Sequence, residues 1–269
     1  MTLPLLLEPE VLNAHLADAR LLIIDLGKES VYQQAHVPGA VLCNGKQLVS
    51  GQQPSPGKLP STAQLSAVFS ALGLTPDTHV VVYDDEGGGW AGRFIWTLDV
   101  IGHRHYSYLN GGIHAWLAAG LPVESTPSLP VATAYEATVV PGALADLAYM
   151  LAHHADADHV VWDARSAEEY AGTRQLAQRS GHIPGARHYE WTQAMDRANS
   201  LRVRPLDTVR AELAALGITA DKTVVTHCQT HHRSGFTYLV GKLLGFERLK
   251  GYAGSWSEWG NQPDTPIER

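Results

Sequence analysis

Short apolar runs alternate along the chain with segments in which apolar residues recur every three to four positions. Strands buried on both faces of a sheet read as continuous apolar runs, and four such runs predict strands: Leu21 to Asp25, Val80 to Tyr83, Val160 to Asp163 and Thr223 to Thr226. The helical spacing over residues 62–72, 206–216 and 235–245 predicts amphipathic helices. This alternation is typical of α/β layers around a mostly parallel sheet.

The same pattern occurs twice. Residues 36–40 (HVPGA) match residues 182–186 (HIPGA), and Asp25 at the end of one predicted strand matches Asp163 at the end of another. A repeat of this length predicts two domains of one fold. We assign residues 1–124 to the first domain and residues 141–269 to the second. Residues 125–140, rich in Ser, Thr, Pro and Ala, are expected to form a linker along the surface.

Composition narrows the class of protein. With 269 residues and 45% hydrophobic content, the chain can bury a substantial core. The 20 basic and 27 acidic residues give a formal charge of -7, which disfavours a nucleic-acid surface. The sequence shows no basic leader and no apolar run of the roughly 20 residues that span a bilayer. We therefore expect a cytoplasmic protein that is not bound to a membrane, and a monomer.

The segment THCQTHHRSGF contains the main candidate site. Its apolar strand ends before Cys228 and its helical stripe begins at Phe236, so residues 228–234 are predicted to form the turn between them. Such a turn directs backbone N–H groups into one concavity at the positive end of the helix dipole. Four of residues 227–233 are basic or potentially basic (His227, His231, His232 and Arg233) and none is acidic. We therefore expect Cys228 to have a lowered pKa and to act as a nucleophile.

The first half contains an internal control for this interpretation. Asp85 stands 143 residues before Cys228, and the loop there reads DEGGGWA. Carboxylates in place of the cysteine and its basic neighbours predict a loop that repels anions. The N-terminal copy is therefore expected to be inert.

Other conspicuous residues are interpreted as structural. Asp25, Asp163, His36 and His182 occur in both halves, including the half without the cysteine, and Trp116 matches Trp259. Cys43 has no basic neighbours and is expected to be a buried thiol; with only two cysteines, the chain has neither a disulfide framework nor a zinc ligand set. Arg174 and Arg179, in an insertion of the second half, are expected to lie in a solvated loop, and Trp256 in a packed core.

The loop CQTHHRS, the two H[VI]PGA landmarks and the C-terminal GYAGSWSEWGNQPDTPIE resemble tandem-domain rhodaneses, the thiosulfate:cyanide sulfurtransferases, over essentially the whole chain. The loop itself resembles a bacterial subgroup of that family. The resemblance implies an α/β fold of two tandem rhodanese-like domains, each a parallel five-stranded sheet flanked by helices, of which only the second is catalytic. It further implies thiosulfate as sulfur donor, cyanide or a thiol as acceptor, and a persulfide on Cys228, with no metal or organic cofactor.

On this resemblance the donor is held by the loop after the cysteine, through the N–H groups of Gln229, Thr230, His231, His232, Arg233 and Ser234. Arg233 supplies the positive charge. Two features depart from the family pattern: the loop has no basic residue directly after Cys228, and Glu169 stands where many relatives have a donor-binding arginine.

Three alternative functions remain beside this one. A mercaptopyruvate sulfurtransferase would use the same cysteine with another donor. A persulfide carrier would load sulfur once and transfer it slowly unless its partner protein is present. A phosphatase or arsenate reductase would use a Cys-x5-Arg loop, whereas Cys228 and Arg233 form Cys-x4-Arg, a shorter cradle that favours sulfur over a phosphate ester.

Overall fold

The structure, a computed structural model, describes residues 3–269 and divides into two compact units. Unit 1 contains the chain up to Leu48, together with Pro60–Val140 and Met195–Val203. Unit 2 contains Val49–Leu59, Pro141–Ala194 and Arg204–Arg269. Each unit therefore includes a short segment from the other half of the sequence, an exchange that the repeat pattern did not predict.

Unit 1 is built on a five-stranded parallel sheet. Its strands are β1 (Leu6–Leu7), β2 (Leu21–Asp25), β3 (Val41–Leu42), β4 (His79–Tyr83) and β5 (Tyr106–Leu109). Its helices are α1 (Pro9–Asn13), α2 (Glu29–Tyr32), α3 (Thr62–Ala71), α4 (Gly89–Val100) and α5 (Gly112–Ala118), with a 3-10 turn at Gly45–Leu48. The strand order is β1-β5-β4-β2-β3.

The second half of the chain repeats this topology. Its strands are β6 (Leu144–Ala145), β7 (His159–Asp163), β8 (Arg187–His188), β9 (Met195–Asp196), β10 (Arg202–Val203), β11 (Thr223–His227) and β12 (Leu249–Tyr252). Its helices are α6 (Leu147–His153), α7 (Ala167–Tyr170), α8 (Leu206–Ala215), α9 (Arg233–Leu243) and α10 (Ser255–Trp259), with a 3-10 turn at Trp191–Ala194. The parallel sheet of unit 2 has the order β6-β12-β11-β7-β8, while β9 and β10 form an antiparallel ribbon in unit 1.

The predicted fold class is confirmed: both sheets are parallel, five-stranded and flanked by helices. One boundary was wrong in a way that affects the site. The helix predicted from residue 235 begins at Arg233, because the apolar stripe marks only its buried face and the first two residues are polar. Arg233 and Ser234 therefore lie in the first turn, where backbone N–H groups have no acceptor within the helix.

The repeated histidines are structural, as predicted. His36 places Nδ1 2.7 Å from the Tyr32 carbonyl and stacks on the Tyr32 ring at 3.8 Å. His182 repeats both contacts with Tyr170, at 2.9 Å and 3.8 Å. Each histidine thus fixes the turn that follows the first long strand of its own sheet.

The predicted capping role of the strand-ending aspartates is also confirmed. Asp25 accepts the Gly27 N–H at 2.7 Å, and Asp163 accepts the Arg165 N–H at 3.0 Å. Trp116 packs in the core cluster of unit 1, and Trp256 and Trp259 pack in that of unit 2.

Residues 125–140 contain no helix or strand and belong to unit 1, where the Thr133 N–H donates to the Ser70 carbonyl at 2.9 Å. Within residues 3–269, none of the helices has the length and apolar character needed to cross a bilayer.

Candidate active site

Cys228 lies at the carboxyl end of β11, where ligand sites of parallel α/β sheets occur. It is only 1% exposed. Its backbone N–H donates to the Ser255 hydroxyl at 3.3 Å, and its carbonyl accepts the Trp256 N–H at 3.0 Å. The Gln229 carbonyl accepts the Ser257 N–H at 3.0 Å. The start of the loop is thereby clamped to the start of α10.

The surroundings of Cys228 lower the pKa of its thiol. Burial alone acts in the opposite direction and is the largest single influence. It is outweighed by the positive charge of Arg233, by the Ser234 hydroxyl and by the backbone N–H groups of Ser234 and Thr230. The predicted lowering of the pKa therefore arises inside a buried cradle, where each of these interactions is stronger than in water.

A buried hydroxyl links the thiol to His231. Nδ1 of His231 lies 2.7 Å from the Ser234 hydroxyl oxygen, and neither residue is exposed. In the tautomer with the proton on Nδ1, His231 donates to Ser234 and leaves the hydroxyl proton of Ser234 for the sulfur of Cys228. His231 reaches this position with a φ of 58°, a conformation that is uncommon outside glycine.

Arg233 is held by Glu169, which sequence reasoning had noted only as a departure from the family pattern. The two side chains make a bidentate pair at 2.6 and 2.8 Å. Glu169 is buried, and although burial raises its pKa, the hydrogen bond and charge of Arg233 bring the net pKa below the ordinary value. The pair fixes the guanidinium beside the loop and partly neutralises its charge.

A second buried cluster, formed by Asp163, Arg165 and His227, lies next to the loop. Arg165 makes a bidentate contact with Asp163, donates to the Gly181 carbonyl at 2.8 Å and lies 4.4 Å from the Trp256 ring centre. His227 lies 3.4 Å from Asp163, but burial lowers the pKa of His227 to about 4 despite the attraction of that carboxylate. The inclusion of His227 among the basic residues of the loop was therefore wrong, because it is neutral near pH 7.

A segment from the first half of the sequence packs on the active-site loop within unit 2. A Cβ on Gly57 would lie 2.1 Å from the Thr230 carbonyl oxygen, so only glycine fits there. Lys58 pairs with Glu258 of α10 at 2.6 Å. No local pattern in the sequence signals this contact.

The insertion of the second half also reaches the loop. The Gln229 amide donates to the Leu176 carbonyl at 3.1 Å. Arg174 is exposed, as predicted, but the solvated position expected for Arg179 was wrong. Its guanidinium donates to the carbonyls of Thr265 and Trp259, at 2.8 and 3.2 Å, and so caps the end of α10.

The matching loop of unit 1 is filled by its own carboxylate. Asp84 accepts the N–H groups of Glu86, Gly87 and Gly88 at one oxygen, at 3.1, 3.0 and 2.8 Å, and that of Ala91 at the other, at 3.0 Å. We expect the loop of unit 1 to bind no anion, and charge repulsion is only one reason. The other is that its N–H groups already donate to the Asp84 carboxylate.

Cys43 is a buried thiol, as predicted. It is 0% exposed, and burial raises its pKa to about 12. A thiol of this kind is protonated at neutral pH, so the two cysteines differ sharply in nucleophilic character.

Similarity to known proteins covers both halves of the chain. The Rhodanese-like domain family matches residues 8–119 and 146–262. A thiosulfate sulfurtransferase of Pseudomonas aeruginosa is 52% identical over 99% of this chain and 97% of its own length. A thiosulfate sulfurtransferase of Azotobacter vinelandii is 50% identical over 99% and 98%.

More distant proteins share the architecture. The sulfur carrier protein TtuD of Thermus thermophilus is 30% identical over 97% of both chains. The anaerobic ergothioneine biosynthesis enzyme of Chlorobium limicola superposes with a TM-score of 0.89 at 20% identity, over 98% of this chain and 70% of that one, a likeness of fold. Both halves of this chain match one domain family, and two relatives share about half of its residues over nearly its full length. The chain therefore belongs to the rhodanese family.

Proposed function

We propose that the chain moves the outer sulfur of thiosulfate to a thiophile through a persulfide on Cys228. It is an enzyme, a thiosulfate sulfurtransferase, as are its two half-identical relatives. The observation that carries the residue assignment is the lowered pKa of a fully buried cysteine at the carboxyl end of a parallel strand.

The reaction is balanced in two displacements. The Cys228 thiolate attacks the outer sulfur of thiosulfate, an S–S bond forms, and the original S–S bond breaks with its electron pair leaving on sulfite. Cyanide or a thiolate then attacks the outer sulfur of the persulfide. The protein S–S bond breaks, and its electron pair restores the Cys228 thiolate.

The loop holds the donor and the persulfide mainly through backbone groups. The N–H groups of Thr230 and Ser234 already act on the sulfur, and we assign those of Gln229, His231, His232 and Arg233 to the same uncharged cradle. Arg233, shared with Glu169, supplies orientation and partial charge.

The proposal assigns catalysis to residues 141–269 and a supporting role to residues 1–124. We further propose that the protein is a cytoplasmic monomer and belongs to the bacterial subgroup with the CQTHHRS loop. The two free cysteines of the described chain suit a reducing compartment. Light scattering of the purified protein tests the monomer.

Intact-protein mass spectrometry tests the mechanism. The wild type, Cys228→Ala and Cys43→Ala are each measured alone, after thiosulfate, and after subsequent cyanide. We expect one added sulfur atom whenever Cys228 is present and its loss as thiocyanate after cyanide. A wild type that is alkylated readily but gains no sulfur from thiosulfate would overturn the donor assignment and bring mercaptopyruvate forward.

A sulfur carrier is the second candidate, favoured by the 30% identity to a sulfur carrier protein over nearly the whole chain. A carrier forms the same persulfide but needs its partner protein for fast release. Multiple turnovers with thiosulfate as donor and cyanide as the only acceptor support the assignment as an enzyme. A single loading followed by slow release supports the carrier.

A further inference from the structure

Three potential metal ligands converge in unit 2 at the edge of the sheet opposite to Cys228. His153 ends α6, His159 begins β7, and Asp156 lies in the turn between them. One ligand atom from each residue lies within 4.8 Å of the other two. Since β7 and β11 run side by side in parallel, the cluster is about one strand length, roughly 16 Å, from the cysteine.

Two consecutive backbone turns create this cluster. The Asp156 N–H donates to the His153 carbonyl, and the His159 N–H donates to the Asp156 carbonyl, both at 3.0 Å. Positions 153, 156 and 159 therefore face the same side. Oδ2 of Asp156 is 2.8 Å from Nδ1 of His153 and 3.8 Å from Nδ1 of His159. Tetrahedral zinc bonds of about 2.0–2.2 Å place neighbouring ligand atoms about 3.3–3.6 Å apart. Zinc would therefore replace the hydrogen bond between His153 and Asp156 and bring His159 slightly closer to Asp156.

On the buried side, Tyr149 orients one of the histidines. Nε2 of His159 lies 2.7 Å from the Tyr149 hydroxyl. A ligand histidine commonly donates its other ring N–H to such a group, and Nδ1 of His159 would then bind the metal in place of its present hydrogen bond to Asp158. Asp158 Oδ1 lies 2.8 Å from that Nδ1, close enough to offer a further oxygen, and Arg248 approaches Asp158 at 3.9 Å.

Access and charge also suit a cation. The His153 and Asp156 side chains are 40% and 44% exposed, whereas His159 is 10% exposed and fixed by its partners. The carboxylates of Asp156 and Asp158 flank the cluster directly, whereas the Arg248 guanidinium is 3.9 Å from Asp158 and the Lys250 ammonium lies over the Tyr149 ring. Two imidazoles with a carboxylate suit zinc and similar borderline ions better than magnesium or calcium, which prefer all-oxygen sites.

We infer that His153, Asp156 and His159 bind a divalent zinc-like cation that fastens the end of α6 to the start of β7. The site is separate from the sulfur-transfer chemistry and does not depend on the proposed function. The two cysteines of the chain predict no zinc site, but the sequence HHADADH supplies histidine and aspartate ligands, and a site of that kind needs no cysteine.

Isothermal titration with zinc tests the site on the full-length chain without an affinity tag. The Cys228→Ala background is used so that the reactive thiolate cannot compete for the metal. We expect one equivalent of zinc to bind, and at least about tenfold weaker binding when His153→Ala or Asp156→Asn is added. His154→Ala is the matched control: its Nδ1 lies 2.9 Å from the Met150 carbonyl, and it should bind zinc as before.

The Asp156→Asn variant separates a metal role from a folding role, because it keeps the size of the side chain. An unchanged melting temperature without zinc, together with loss of the zinc-induced rise, supports the site. Zinc binding that is absent from the Cys228→Ala chain, or equally strong in the Asp156→Asn and His154→Ala variants, overturns it.

Discussion

Removal of the Ser234 hydroxyl should suppress the thiolate of Cys228. The hydroxyl is one of the groups that lower the pKa of the thiol, and His231 orients it from 2.7 Å. A hydrogen bond to a charged group contributes about 1.5–3 kcal/mol. At about 1.4 kcal/mol per factor of ten, Ser234→Ala should reduce the ratio of thiolate to thiol by about 10- to 150-fold.

The sign of the pH dependence follows from the direction of this change. Ser234→Ala raises the pKa of Cys228 toward that of an ordinary cysteine, so the loss of reactivity should be large at neutral pH. It should shrink as the pH rises, because both proteins become fully ionised at high pH. The alkylation rate of Cys228 and the rate of thiocyanate formation, each measured across the pH range, should shift to higher pH together.

Ser257→Ala provides the control, because this buried hydroxyl of the same unit donates to the Gly254 carbonyl at 2.8 Å. Its alkylation profile should match the wild type. If Ser234→Ala lost activity by the same factor at every pH, or left the alkylation profile in place, the hydroxyl would not stabilise the thiolate and the reasoning would fail.

Three further predictions concern other parts of the site. Gly57→Ala should lower sulfur transfer by at least about tenfold, because the new Cβ meets the Thr230 carbonyl and displaces the loop, a loss that steady-state kinetics would detect. Cys43→Ala should leave sulfur loading unchanged and cost about 1 kcal/mol in urea unfolding. Arg165→Met should cost about 3–5 kcal/mol at pH 7, because Asp163 is left buried and charged without its partner.

The Gly57→Ala and Cys43→Ala predictions each have an outcome that would contradict them. Gly51→Ala is the control for Gly57→Ala: its φ of 69° makes alanine strained there, but its Cβ would meet nothing within 4 Å, so equal losses in both would rule out a contact with the loop. Sulfur loading on Cys43 would contradict its assignment. The pKa of Asp163 is about 2, below its ordinary 3.8, because His227, which is protonated below about pH 4, and Arg165 outweigh the opposing effect of burial. Wild-type stability from this group should therefore be complete above pH 4 and be lost toward pH 2, by about 2 kcal/mol.

The sequence by itself determined the main elements and the candidate nucleophile. The strand Leu21–Asp25 was predicted with its observed bounds, because a strand buried on both faces must be apolar along its whole length. The cysteine was identifiable because strand, turn and helix are contiguous, and a strand-to-helix turn gathers its own N–H groups. Such features depend on neighbours in the sequence, and local patterns report them.

Only the tertiary structure decided how the site is charged and supported. Glu169 and Arg233 are 64 residues apart, yet their contact determines how much positive charge the donor meets. Gly57 reaches the loop from the other half of the chain. His227 is neutral and Cys228 is ionised more readily because burial and partners set a pKa, and neither is a local property of the sequence. The sequence predicted an inert first loop from its carboxylates, but only the folded position of Asp84 shows that this side chain fills the cradle of unit 1, whereas the cradle of unit 2 surrounds Cys228.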